Sequence, residues 1–393
     1  MSIPRQIDSS EEKESVAKAK DGFVRTVRLD MSDAAGTFDK TKSLEKGNTP
    51  KQKEEFKDIV RGVNINPYIS SALDISPDLF APLDNIEQKY AVLEEFAQGG
   101  FATISIARDK NLGRLVAVKT LNKGREGNEE LLNAFVTEAK VTAQLDHPGI
   151  IPIYGLFLDK DNGIHLVMKL VNGKTLREYL RNTTLNYRVR GIDAFDENMM
   201  LRTRLEIFLH VCDTISYAHH RNVIHRDLKP ENIMIGKYME VFVMDWGIAR
   251  ILPKGQASTL PDNEQITGSP GYFAPEGLKH KGLDLRSDIF SLGLILQEIV
   301  TLQRAIEGKD ETECMKNIVN GVFAPIEHLY HCKIDSSLQA IIQKATAYSL
   351  DERYQTVDDL AEDLRRYMAH LPISIKRDNL WNRILRYFFG NHQ

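Results

Sequence analysis

The chain has 393 residues, 42% hydrophobic and 27% charged, an ordinary globular composition with length for one large domain plus extensions or for two domains. Its 51 Lys and Arg against 55 Asp and Glu leave a formal net charge of -4, so no global basic field recruits nucleic acid and no nucleic-acid partner is expected. Cys212, Cys314 and Cys332 are few, odd in number and widely separated, which suits free thiols in a reducing compartment and offers no metal-site spacing.

The N-terminus lacks the apolar stretch of a signal peptide, and no run approaches the roughly 18 uncharged apolar residues of a membrane span, so a cytoplasmic location is expected. Residues 1–64 are rich in Lys, Glu, Asp, Ser and Thr without a sustained apolar period. Such a segment buries too little apolar surface to offset chain entropy, and it reads as a mostly disordered extension that is either a solvated tail or a docking segment. Residues 65–89, with Pro67, Pro77 and Pro82, read as an irregular linker.

From Tyr90 onwards, short runs rich in Val, Ile and Phe alternate with polar turns. Residues 90–96, 103–108, 114–121, 151–157 and 164–168 predict five strands, and residues 128–144 predict one helix with Leu131, Leu132, Phe135 and Val136 on its apolar side. Beyond Thr175 the pattern turns mainly helical. The stretches 201–219 and 288–301 are apolar enough to be buried inside a larger lobe. A small strand-rich lobe over about 90–168 therefore precedes a larger helical one over about 172–371.

Several polar groups interrupt this frame. A run of small residues, Ala97-Gln-Gly99-Gly100-Phe-Ala102-Thr-Ile104, falls between the first two predicted strands. Lys119 ends the apolar run Val116-Ala117-Val118, and Glu138 follows 19 residues later on the predicted helix. Next comes His225-Arg226-Asp227-Leu-Lys229-Pro-Glu-Asn232, and 13 residues beyond Asn232 stands Asp245-Trp246-Gly247. Backbone N–H groups can approach phosphates closely where side chains are small. A hard cation wants carboxylate and amide oxygens, and a carboxylate can orient a hydroxyl. A phosphate cover, a cation, metal ligands and a hydroxyl-orienting acid are together the requirements of phosphoryl transfer.

Over about Tyr90 to Leu371 the chain resembles the protein-kinase superfamily. The runs Val167-Met-Lys-Leu-Val-Asn-Gly-Lys-Thr-Leu176 and Asp245-Trp-Gly look like the bacterial eukaryotic-like serine/threonine kinases. The resemblance implies an α+β bilobal fold, with a small antiparallel five-stranded lobe holding one key helix and a larger mainly helical lobe. It implies a serine/threonine protein kinase using ATP and Mg²⁺, with protein Ser and Thr hydroxyls as acceptors.

Residue by residue, the resemblance implies that Asp227 orients the acceptor hydroxyl, Lys229 neutralises the transferring phosphate and Lys119, oriented by Glu138, holds the nucleotide phosphates. Asn232 and Asp245 would be the metal ligands. The family's G-x-G-x-x-G-x-V appears here as Ala97-x-Gly99-x-x-Ala102-x-Ile104, with only the second glycine kept, and Trp246 replaces the usual Phe. Ile104, Ala117 and Met234 would sandwich adenine, Met168 would guard the rear pocket, and Lys169 to Val171 would form the hinge. Ser269 fits the position of a hydroxyl near the acid and its lysine, with Thr267 just before it. Ser258 and Thr259 lie where activating phosphorylation falls, and Arg226 and Arg250 could converge on such a phosphate. Glu276 in Ala274-Pro-Glu276 and Arg353 would pair as a structural brace, and Asp288 would hold the backbone around Asp227.

Residues 372–393 end in an amphipathic stretch in which Trp381, Ile384, Leu385 and Phe388 share one helical stripe. Packing on the domain is the plainest use of that stripe, with a partner helix or membrane-surface contact as the alternatives. The competing functional classes are an ATP-binding scaffold without transfer, which Ala97, Ala102 and Trp246 favour, and a kinase of small molecules. Retention of Lys119, Glu138, Asp227, Lys229, Asn232 and Asp245 opposes the first, and Ala274-Pro-Glu276, Asp288 and Arg353 oppose the second. The oligomeric state is not legible in these residues.

Overall fold

The computed structural model describes residues 84–98, 102–122, 129–160, 163–190, 200–252, 268–279 and 282–375. A short helix α1 (Ile86–Lys89) leads into strands β1 (Tyr90–Gln98), β2 (Ala102–Asp109) and β3 (Leu115–Leu121), helix α2 (Glu129–Gln144), and strands β4 (Ile153–Leu158) and β5 (Ile164–Lys169). The five strands form one sheet in the order β1-β2-β3-β5-β4, with every neighbouring pair antiparallel.

The central strands β3 and β5 pack apolar residues on both faces, whereas β1 is exposed over residues 92–96. On one face Val116, Val118 and Val167 pack with Ile86, Tyr90 and Phe157. On the other, Leu121, Ile164 and Leu166 pack against Leu132, Phe135, Val136 and Ala139 of α2. Those four helical positions follow the i, i+3, i+4, i+7 spacing of a single apolar stripe. Lys119 lies two residues from Leu121 along β3, and side chains alternate along a strand, so it projects toward α2.

Packing begins before Tyr90. Asn85 caps α1 by accepting the Glu87 N–H at 2.7 Å, the Leu158 N–H donates to Asp84 O at 3.0 Å, and Ile86 is buried. The expected linker thus ends in a docked helix. At the other end, Ile373 and Ile375 pack on the helical core, a few residues past Leu371.

Residues 170–172 are the single span to the second lobe. There β6 (Gly173–Thr175), α3 (Leu176–Arg190), α4 (Leu201–His220), β7 (Val223–Ile224), β8 (Ile233–Gly236), β9 (Val241–Val243) and β10 (Arg250–Ile251) are followed by helices. These are α5 (Pro275–Leu278), α6 (Arg286–Thr301), α7 (Glu311–Val319), α8 (Ser336–Ala345) and α9 (Val357–Met368). Every residue of α6 after Arg286 is buried, so this helix is the central post of the lobe and carries no polar face.

The five short strands of this lobe depart from the mainly helical reading beyond Thr175. They form a three-stranded sheet, β6-β8-β9, and a two-stranded one, β7-β10. Of these, β9 falls in the apolar run Val241 to Met244 before Asp245, while segments as short as β7 and β10 cannot express a period. They matter because they hold the loops of the site. No helix among the described residues is long and apolar enough to cross a membrane. The tail residues 376–393, including the stripe at Trp381, lie outside the described residues.

Candidate active site

The seam between the lobes gathers most of the polar residues singled out above. Lys119 reaches across from β3 and donates to Glu138 Oε1 at 2.8 Å and Oε2 at 2.7 Å, and lies 3.6 Å from Asp245 Oδ1. Burial pulls the Lys119 ammonium down, but the charges of Glu138 and Asp245 outweigh it and hold the group well above its ordinary value. For Glu138 burial wins, and its carboxyl is raised despite Lys119. Asp245 is held below the usual carboxylate range: Lys119, Lys229 and His225 outweigh the burial that opposes them. Its side chain remains 41% exposed, toward the open cleft.

The loop after β7 is held in an unfavourable backbone shape. Arg226 has φ 72° and Asp245 φ 62°, both in the left-handed region that side chains disfavour. Asp288 on α6 offsets the first: the His225 N–H donates to its Oδ2 at 2.8 Å and the Arg226 N–H to its Oδ1 at 3.0 Å. His219 Nε2 lies 2.8 Å from the same Oδ2. Asp288 thus holds the amide of the strained residue and the one before it. His225 accepts the Asp227 N–H at Nδ1, 3.2 Å, which leaves Nε2 to donate to Met244 O at 3.0 Å. Burial lowers the pKa of this imidazole.

Within the loop, Asn232 Nδ2 donates to Asp227 O and Oδ2, both at 2.9 Å, while Lys229 Nζ lies 3.2 Å from Asp227 Oδ2 and 2.8 Å from Ser269 Oγ. Asp227 Oδ1 is buried and has no hydrogen-bond partner among the described residues. Burial and the nearby Asp245 charge push the Asp227 carboxyl up to about 7, and burial pulls Lys229 down to about 8. With Asn232 Nδ2 turned to Asp227, the amide oxygen is the group that Asn232 can offer a cation. The Met244 N–H to Asn232 O bond, 2.8 Å, holds Asn232 beside the strand leading to Asp245. One amide oxygen and one carboxylate suit Mg²⁺, which keeps several ligands for water or phosphate.

A mostly apolar seam adjoins this charged one. Met234, Ile151 and Phe242 form a buried cluster joined by Met168, Val171 and Met244. Ala117 is register partner of Met168, and Ile104 of Lys119. The Lys169 N–H donates to Pro152 O at 3.0 Å, and its ammonium lies over the Phe242 ring. Ala97 and Ala102 are buried at the ends of β1 and β2, with Ala97 opposite Ile104. Gly99 and Gly100 lie outside the described residues, as do Ser258, Thr259 and Thr267.

Of the remaining expectations, Arg353 pairs with Glu276 through Nη1–Oε1 at 2.8 Å and Nη2–Oε2 at 3.2 Å, both side chains fully buried. Arg250 stands opposite Ile224 in the β7-β10 pair, two residues from Arg226, so the two arginines are near neighbours. Arg226 Nη1 donates to Ile248 O at 3.3 Å. Sequence reasoning missed His219 and a cluster formed by Arg177, Tyr272 and Glu298 with Glu231. Only Glu231, inside the run around Asp227, carried any signal.

A small antiparallel sheet with one helix, a larger helical lobe, and a cation-carboxylate seam between them define the bilobal α+β kinase class. The profile of the family described as "Protein kinase domain" matches residues 90–368, and the chain belongs to that family. It is similar to the serine/threonine-protein kinase PknD of Protochlamydia amoebophila, 30% identical over 295 residues, or 71% of this chain and 30% of the relative. PknD of Chlamydia abortus and of Chlamydia trachomatis serovar D are also 30% identical, over 303 and 304 residues, each covering 72% of this chain and 32% of the relative. The chain spans about a third of the length of these curated relatives.

Proposed function

We propose that the chain is a serine/threonine protein kinase that uses ATP and Mg²⁺ and transfers a phosphoryl group to protein Ser and Thr hydroxyls. The observation carrying this reading is the Asp227 carboxylate: Oδ2 is held by Asn232 at 2.9 Å and approached by Lys229 at 3.2 Å, which places a carboxylate and a cation together to orient an acceptor hydroxyl. Orienting that hydroxyl asks for proximity more than for a shifted pKa. Lys229, bonded to Ser269 and close to Asp227, supplies positive charge where the transferring group would pass.

Bound Mg²⁺-nucleotide would supply the phosphoryl group and neutralise charge between its terminal phosphates. Asn232 and Asp245 are the residues to hold the metal, and Lys119, braced by Glu138, to hold the phosphates. In this reading Ile104, Ala117 and Met234 flank adenine, Met168 closes the rear, Lys169 to Val171 offer hinge backbone, and the run Ala97 to Ala102 with Gly99 and Gly100 covers the phosphates. Hydroxyl specificity rests on Lys229 two positions after Asp227 and on the relatives' being serine/threonine-protein kinases by name. Autophosphorylation at Ser258 or Thr259, read by Arg226 and Arg250, belongs to the same proposal. It predicts modification at one of the two when an active sample is incubated with ATP and analysed by mass spectrometry; both unmodified would sink it.

The direct test is transfer of the ATP γ-phosphate to a generic protein substrate by the wild-type chain and by Asp227→Asn. A loss of about 10²-fold or more is expected. Equal incorporation by both would overturn the assignment.

A further inference from the structure

A second charged cluster lies under the Asp227–Asn232 loop, separate from the seam. Arg177, in the first turn of α3, donates Nε–H to Glu231 Oε1 at 2.7 Å and Nη1–H to Glu298 Oε2 at 2.7 Å. Its Nη2 bonds the Tyr272 hydroxyl, which donates in turn to Glu298 Oε1 at 2.7 Å. The four side chains come from four parts of the chain: α3, the Asp227–Asn232 loop, the stretch just after Ser269, and α6. Ser291 Oγ adds a bond to Tyr272 O at 2.7 Å.

The physics of the cluster singles out Arg177. Two carboxylates, 15% and 4% exposed, share one guanidinium, and Glu231 Oε2 is buried without a partner among the described residues. Lys229 is the other cation whose field reaches Glu231. Burial pushes the Tyr272 hydroxyl well up, so it stays neutral and adds no positive charge. Without Arg177 the carboxylates would repel each other where water screens poorly. A planar fork of N–H donors serves three acceptors at once; an ammonium is a point charge that does not reproduce that geometry.

Glu231 directly precedes Asn232, and Tyr272 follows Ser269 by three residues. Lys229 bonds Ser269 and lies 3.2 Å from Asp227. We propose that Arg177 is a positioning residue for the transfer reaction: its three bonds fix the Asp227–Asn232 loop and the Ser269–Tyr272 stretch at one separation, and so aim Asp227 and Lys229 at a common point. This rests on the kinase reading above. The Arg177 side chain is 23% exposed, so the space it leaves in a truncated variant opens to solvent.

The test compares the full chain with Arg177→Ala and Arg177→Lys. In Arg177→Ala, kcat on a protein substrate should fall about 10- to 100-fold with KM for ATP nearly unchanged, because misplacement harms orientation more than nucleotide contact. Millimolar guanidinium ion, filling the vacated site, should restore part of the loss, and Arg177→Lys should fall in between. Hydrogen exchange should quicken at the amides of Asn232 and Tyr272, which donate to Lys229 O and Ser269 O. Wild-type kcat in Arg177→Ala overturns the proposal. So does a loss that guanidinium leaves untouched while exchange quickens throughout the lobe, the mark of a merely structural role. If the wild-type chain transfers no phosphate, the kinase reading fails by itself, and exchange at Asn232 and Tyr272 left unchanged in Arg177→Ala would still overturn the role given to Arg177.

Discussion

Lys119 Nζ and Glu138 Oε2 meet at 2.7 Å, joining β3 to α2 through a charged contact beside an apolar face. Lys119 Nζ also lies 6.0 Å from the centre of the Phe135 ring, so rotation of α2 would disturb the salt bridge and the apolar stripe together. Asp245, at 3.6 Å from the same ammonium, makes Lys119 the cation shared by two carboxylates.

Lys119→Met should therefore abolish transfer, by about 10²-fold or more, while Glu138→Gln, which keeps a hydrogen-bond acceptor but loses charge, should cost about 10-fold. Phosphate incorporation into a protein substrate measures both. Equal losses in the two variants would show that Glu138 does more than brace Lys119.

The Arg353–Glu276 pair is a stability element. Arg353 also donates Nη1–H to Arg286 O at 2.8 Å and Nε–H to Ala347 O at 3.1 Å, so its loss orphans a buried carboxylate and two carbonyls. Arg353→Met should cost about 3–5 kcal/mol. Urea unfolding checks this, and adding Glu276→Gln should recover part of the loss because the orphaned charge is gone.

Asp288→Asn should loosen the Asp227 loop. An amide offers one acceptor oxygen where the carboxylate serves two backbone N–H groups, so one amide is left facing an N–H donor, at a cost of about 1–3 kcal/mol. A pH dependence accompanies it. Burial raises the Asp288 carboxyl, but His219, His225 and their hydrogen bonds outweigh it and hold it below its ordinary value. A depressed folded value means stability that is present above the unfolded carboxyl range and is lost as pH falls through the folded value. The difference between wild type and Asp288→Asn, followed by urea unfolding, should shrink under acid.

His328 gives a second pH window. It is buried against Tyr187 and Tyr330 and accepts the Tyr330 N–H at Nδ1, 3.1 Å. Burial, then the Arg204 and His331 charges, lower it from 6.5 to about 4. The unfolded chain therefore binds the extra proton between those values, and stability falls as pH drops from 6.5 toward about 4. His328→Asn keeps an acceptor for Tyr330 and should flatten the melting temperature across that window. An unchanged slope would assign the acid sensitivity elsewhere.

The sheet and α2 were legible because each buries a face whose period survives over several residues, and α6 because it is a long, strongly apolar run. Val116 to Leu121 and Leu132, Phe135 and Val136 of α2 are such cases, whereas Leu131, expected beside them, is only partly buried and Ala139 takes its place in the core. The residues about Asp227 were legible for another reason: they stand in contiguous runs that resemble those of the protein-kinase superfamily. The two-residue strands β7 and β10 were too short to show a period. The Arg177 cluster was invisible because its partners lie 54, 95 and 121 residues away and meet only once α3 and α6 have packed. His219 was hidden on the apolar face of α4, where a histidine reads as one more core residue.

Trp246, beside Asp245, is 1% exposed, with its ring 4.5 Å from that of His225 and its Nε1–H donating to Val243 O at 3.3 Å. The sequence contains one other tryptophan, Trp381. A chain carrying Trp381→Phe would hold a single indole, sheltered from water and covalently next to the carboxylate proposed to meet the metal. Its emission would then be an optical gauge of that segment. Any rearrangement that moved the indole off His225 or let water reach it would appear as a shift in colour and intensity, without a label and without turnover.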